Sequence, residues 1–234
     1  MKTFSEYLTE ATQTINISSA RKMFEKMLLP FVEKDIRLSD IVKAVQRGGQ
    51  RYLYNVSIRK SPELESGDVS VFGFFDAEAA KEYYEEDGVD MPIELLLIFS
   101  SKDKTILMGR EGVQSLANGL AETLAHEWIH LKQAQSRNWV GIKPKQKYLH
   151  KVENIDLAHY LGNDDEIEAH AMNIAGSALS KFGNKKQAIE FFKRPKMGVL
   201  DEHHFDLYLK LYGTSHAVTK RLFKKIVYYI NNRK

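Results

Sequence analysis

"VQSLANGLAETLAHEWIHLKQ", residues 113–133, carries Val113, Ala117, Leu120, Leu124, Trp128 and Leu131 at steps of three and four. That period lays them along one face of an α-helix. His126 and His130 fall nearly opposite this face, and Ala121, Ala125 and Ile129 fill much of the remainder. The stretch predicts a long helix buried on most sides, and such a helix does not present two imidazoles to nothing.

Four residues is just over one helical turn. His126 and His130 therefore project from one strip, with Cβ atoms roughly 6 Å apart, and can share a metal ion. Glu127 is rotated about 100° from His126, off the ion but beside the water that such an ion activates. This makes Glu127 the candidate general base. Zinc suits imidazole nitrogen and tolerates an open coordination position. Positioned proton transfer alone contributes about 10²–10⁴-fold, whereas zinc lowers the pKa of bound water from about 15.7 to about 7. Amide hydrolysis near neutral pH needs both. With eight histidines in the chain, the pattern arises by accident in on the order of one such sequence in fifty.

Composition narrows the chemistry further. The chain has 234 residues and is 43% hydrophobic, enough for one sizeable core. Its 34 basic and 31 acidic residues give a net charge of +3, too balanced to imply a polyanionic partner, so no specific nucleic acid is expected. There is no cysteine, which excludes disulfides and thiolate ligands and leaves nitrogen and oxygen to hold a metal. Glu6 and Glu10 argue against a secretory signal. The most apolar run, "PIELLLIFSS", is far short of the roughly 20 residues that span a bilayer, so no membrane association is expected.

Working outward, residues 18–47 read as helix, with Pro30 as a kink and Ser39 as a second N-cap. In "RYLYNVSIRK", Tyr52, Tyr54, Val56 and Ile58 alternate with polar residues, the mark of a half-buried strand. "DVSVFGFF" and "IELLLIFS" continue as strands around a helix, "DAEAAKEYYEE", capped by Asp76. The expected fold class is α+β: a small mixed sheet over about 51–108, packed with a mainly helical C-terminal half. Lacking any linker or repeat, residues 11–234 are expected to form a single domain, comprising an 11–50 helical layer, a 51–110 sheet and 111–234 catalytic and C-terminal helices.

A catalytic zinc site needs a third protein ligand. Six residues after His130, where the metzincin pattern places a histidine, stands Ser136. The best region is "NDDEIEAHAMNIAGSALSKF", a helix with Ile167, Ala171, Ile174, Ala178 and Phe182 on one face and Glu166 and Glu168 at its acidic start. "HEWIH" followed by a helix opening "DEIEAHA" resembles the gluzincin group of zinc metallopeptidases, and more narrowly small metallopeptidases encoded by tailed bacteriophages. The likeness covers about residues 113–182. It implies that a downstream helical glutamate completes the His-Glu-His set. Glu166 with Ala169 matches that pattern, and Glu168 with Ala171 fits as the alternative. Capping boxes compete for both, Asn163 with Glu166 or Asp165 with Glu168. His150, His159 or His170 would be a histidine third ligand, and His170, one turn beyond Glu166, could instead support it.

Between the two helices, "IDLAHYLG" reads as a short helix ended by Gly162. Trp139 and the basic "KPKQK" either line a subsite or face water, and the solvated reading is preferred. The resemblance implies that an edge strand binds substrate in extended form; "IELLLIFS" is the candidate, against a plain central strand. "HAVTKRLFKKIVYYINNRK" reads as an amphipathic helix with Leu222, Phe223, Ile226, Val227 and Ile230 packed on the domain. By likeness to related peptidases, His203, His204, Tyr208 or Tyr212 would stabilise an oxyanion. The opening "MKTFSEYLTEA" resembles the leading segments of head proteins from T4-like phages, which a prohead protease cuts after Leu/Ile-x-Glu. Leu8-Thr9-Glu10 then Ala11 matches, which implies a removable propeptide at 1–10 and a location in the capsid interior, with host cytoplasm as the alternative.

The expectation is a zinc-dependent metallopeptidase with one Zn2+ per chain on His126, His130 and Glu166 (or Glu168), and Glu127 as base. It would act on a peptide or protein substrate, with phage head proteins as possible partners. The competing expectations are a non-catalytic internal head protein and a metal-stabilised peptide-binding module.

Overall fold

The computed structural model describes residues 17–85, 91–139, 155–200 and 202–232. The segment 1–10, His150 and "KPKQK" lie outside them. The chain divides into two compact units, Met1–Val140 and Gly141–Lys234, each with its own hydrophobic cluster. The fold class is α+β, with strands in the first unit and helices alone among the described residues of the second.

In the first unit, α1 (Ile17–Leu28) buries Ala20, Phe24 and Leu28 at helical spacing. The helix expected over 18–47, kinked at Pro30 and capped again at Ser39, is broken more fully than that. Pro30 sits in a single 3-10 turn at Leu29–Phe31, and Glu33 adopts a left-handed φ of 58° as its amide donates to the Met108 carbonyl at 2.9 Å. A short strand β1 (Asp35–Arg37) follows, with Ile36 buried. The next helix, α2 (Leu38–Gln46), starts after Arg37, and no side chain caps it. Ser39 is thus inside the helix and not its cap. A one-turn helix α3 (Gly49–Tyr52) leads through Leu53, with φ of 57°, into β2 (Tyr54–Ser61). Tyr54 is fully buried, and its hydroxyl satisfies itself by donating to the Val45 carbonyl at 2.7 Å.

Strand β3 (Val69–Phe75), helix α4 (Ala77–Glu85) and strand β4 (Ile93–Ser100) follow. As expected, Asp76 caps α4: its Oδ1 accepts from the amides of Glu78 and Ala79 at 2.8 and 3.1 Å. The sheet order is β2-β4-β3, with β2 parallel and β3 antiparallel to β4. Ile93, Leu95, Leu97 and Phe99 turn one face of β4 into the core, while Glu94 is exposed. Strand β5 (Thr105–Leu107) pairs antiparallel with β1, setting Ile106 opposite Ile36. β4 is hydrogen-bonded on both sides, so "IELLLIFS" is not the free edge that a substrate strand would need. Among the described residues, the free edges of this sheet are β2 and β3. Helix α5 (Arg110–Ser136) packs against α1, β3 and β4. Val113, Ala117, Leu120, Leu124, Trp128 and Leu131 are all buried, at about 1.5–3 kcal/mol for each large side chain taken from water.

In the second unit, α6 (Ile155–Gly162) precedes α7 (Asp164–Phe182), α8 (Lys185–Phe191), α9 (His203–Tyr212) and α10 (Ala217–Asn232). Ile167, Ala171, Ile174 and Ala178 of α7 meet Val218, Leu222, Ile226 and Ile230 of α10 in one core. α7 ends at Gly183, whose φ of 71° closes the left-handed cap. None of the described helices is long and apolar enough to cross a membrane.

Candidate functional site

Helix α5 carries the first group of site residues. His126 is 9% and Glu127 7% exposed, and His130 is half-buried. The one-turn spacing brings the two rings edge to face, with centroids 4.8 Å apart and planes at 77°. Their Nε2 atoms lie 3.1 Å apart. His130 Nδ1 is 2.9 Å from Gln133 Oε1. The amide oxygen only accepts, so Nδ1 of a neutral His130 holds the proton and its Nε2 presents a lone pair toward His126. Gln133, three residues beyond His130, sets that tautomer; sequence reasoning passed over it because one amide at that spacing looks like any polar surface residue.

β3 passes close beside Glu127. A Cβ placed on Gly73 would lie 2.6 Å from Glu127 Cγ and Oε1 and 2.6 Å from Thr123 Cγ2. Only a residue without a side chain lets the strand run this near the carboxylate. A glycine inside a strand pattern, "VFGFF", is the signal that would have found it.

Trp139 is half-buried, and its indole stacks on Tyr84 with centroids 5.7 Å apart and planes at 23°. Burial, and then Tyr83, push the Tyr84 hydroxyl up to about 12, against a hydrogen bond from Gln135. The stack holds the end of α5 against α4.

The second unit positions the glutamates. Asn163 is the N-cap of α7, and its side chain accepts from the Asp165 amide at 3.0 Å. The Asn163 amide itself donates to the Tyr160 carbonyl at 3.1 Å. Glu166 therefore does not close a capping box, and Asp165, already inside the helix, does not cap one with Glu168. Glu168 Oε1 accepts from Lys225 Nζ and the Tyr229 hydroxyl of α10, each at 3.0 Å. The Tyr229 hydroxyl is raised by burial first and by that carboxylate next. Glu166, only 13% exposed at its side chain, has Oε2 3.7 Å from His170 Nε2. Arg221 of α10 is paired with Asp164 in the same first turn, which ties the start of α7 to α10. His159 is half-buried on α6.

Of the four expected oxyanion donors, Tyr212 is committed elsewhere, its hydroxyl donating to the Ala158 carbonyl at 2.5 Å. Burial raises that hydroxyl to about 12, partly offset by Arg221. His203 and His204 stand together at the start of α9. The Tyr208 hydroxyl is buried with no hydrogen-bond partner among the described residues. Burial holds it well above its ordinary value, and the Glu166 carboxylate adds to that.

As a donor set, the imidazoles of His126 and His130 with the carboxylate of Glu166 could hold a metal ion. Comparison of the chain with protein-family models, with curated proteins and with solved structures finds no match.

Proposed function

We propose that the protein is a zinc-dependent metallopeptidase in which His126, His130 and Glu166 hold one Zn2+ and Glu127 is the general base. The reading is carried chiefly by the two Nε2 atoms 3.1 Å apart beside a buried carboxylate. Zinc–nitrogen bonds of ~2.0–2.1 Å at a tetrahedral angle separate two nitrogens by about 3.3 Å, so the imidazole pair fits the ion with a few tenths of an ångström of adjustment. Two imidazoles and a carboxylate also match the charge and softness that zinc accepts in catalytic sites. Glu168 is the weaker third ligand, since Lys225 and Tyr229 already occupy its Oε1.

Bound zinc supplies Lewis acidity, which brings the ionisation of water into the neutral range. Gln133 keeps the His130 proton on Nδ1, which leaves Nε2 unprotonated, the form that ligates a metal. Glu127 takes the proton of the attacking water and returns it to the departing amine, which balances the hydrolysis of one peptide bond. Its burial excludes bulk water that would weaken that transfer. Backbone groups on the free edge of β3, beside Glu127, are the proposed rest for an extended peptide, replacing β4 in that role. A protein substrate in a phage head or in the host cytoplasm is the proposed setting, on the likeness of residues 1–11 alone.

Hydrolysis of casein with and without a chelator, on wild type beside Glu127→Gln, tests the assignment. Chelator-sensitive cleavage that Glu127→Gln abolishes is expected. Cleavage at the wild-type rate in Glu127→Gln removes Glu127 from the mechanism.

A further inference from the structure

His170, one turn beyond Glu166 on α7, is 1% exposed, and the mechanism above does not use it. His204 stacks on its ring with centroids 4.1 Å apart and planes at 27°. Tyr160 and Tyr208 meet it edge-on at 6.0 and 5.9 Å. His204 is itself held, its amide and its Nδ1 each 3.3 Å from Glu202 Oε1. Three rings therefore wall the His170 imidazole into one orientation. Burying a ring with two polar nitrogens among aromatics is costly where Phe or Leu would pack as well. The cost is offset when the ring serves a polar neighbour, and the carboxylate of Glu166 lies 3.7 Å from its Nε2. At that distance, a shift of under about 1 Å by the carboxylate brings the pair into hydrogen-bond range.

We infer that His170, clamped by His204, is a positioning residue that fixes the Glu166 carboxylate for metal binding. The inference rests on the metal-binding reading above. Groups that hold a ligating side chain from behind typically contribute 10–100-fold to metal affinity. His170 does so from within α7, and His204 extends the support to α9, so the imidazole is already in place for the carboxylate to close on.

The test is titration of the full chain with Co2+, followed by the visible absorption of the bound ion and by competition with a chelator. His170→Leu is expected to bind Co2+ about 10–100-fold more weakly with an altered absorption spectrum, and His170→Gln to recover most of the affinity. His204→Ala removes the half-exposed stacking ring and is expected to weaken binding several-fold. It also decides the question should His170→Leu fail to fold. Wild-type affinity and spectrum in His204→Ala, or in a folded His170→Leu, overturn the inference while leaving the metal site standing. A wild-type chain that takes up no Co2+ sinks the metal site itself.

Discussion

Gly73→Ala probes the close approach of β3 to Glu127. The added Cβ would lie 2.6 Å from Glu127 Cγ and Oε1 and from Thr123 Cγ2, where ordinary contact begins at 3.4 Å. Either the carboxylate or the strand must give by about 0.8 Å, the difference between those two distances. Glu127 is a flexible side chain, whereas β3 is fixed to β4 by its whole register, so the carboxylate moves first. A misplacement of that order costs on the order of 10²-fold in rate, equivalent to ~2.7 kcal/mol in the barrier. Overpacking adds ~1–3 kcal/mol of destabilisation. The assay is kcat and KM on a fluorogenic peptide, with metal content and Tm measured on the same preparation. The expected result is kcat lowered by about 10²-fold, one metal ion per chain retained and Tm reduced by several degrees. A folded Gly73→Ala chain with kcat within twofold of wild type would refute the reasoning.

Three further outcomes follow from the same geometry. Glu166→Gln should weaken zinc binding severely, whereas Glu168→Gln should retain it and lose under about 1 kcal/mol, because its ion pair with Lys225 is partly solvated; equal metal loss in both, by chelator competition, would contradict the assignment of Glu166. Asp103 is held below the usual carboxylate range by the amide of Gly67 and the hydroxyl of Ser66. A depressed folded-state value means the stabilisation is complete above the unfolded value of ~3.9 and drains away as pH falls below it. Urea unfolding of Asp103→Asn should therefore lose less stability between about pH 4 and pH 2 than wild type, and identical slopes would argue against it. Leu124→Ala, at a fully buried position of α5, should cost ~2–5 kcal/mol in urea unfolding; a loss under 1 kcal/mol would mean that the helix is not the centre of the first core.

Helix α5 was legible because its apolar period runs unbroken through residues 113–133, and every residue assigned to its apolar face is buried. The Asp76 cap and the short helix ending at Gly162 were legible for the same local reasons. β1 was not. It is three residues long and exists through pairing with β5, some seventy residues downstream, so no local pattern marks it. Strand-like composition marked β3 and β4 as strands but carries no information on which lies in the middle. That order is set by pairing, and it moved the free edge from β4 to β3. Glu166 and Glu168 could not be separated in sequence, since both open α7. What distinguishes them is Lys225 and Tyr229, contributed by a helix about sixty residues later. The division of the core at residue 140 has no compositional trace either, because no Gly/Ser or Pro-rich linker accompanies it.

The central claim is a metal ion held by His126 and His130. Elemental analysis of purified wild type beside His126→Ala tests it most directly. One zinc per chain in wild type, falling to a small fraction in His126→Ala, is the predicted result. A wild-type chain free of metal after exposure to zinc, or a His126→Ala chain that keeps its full complement, would contradict it.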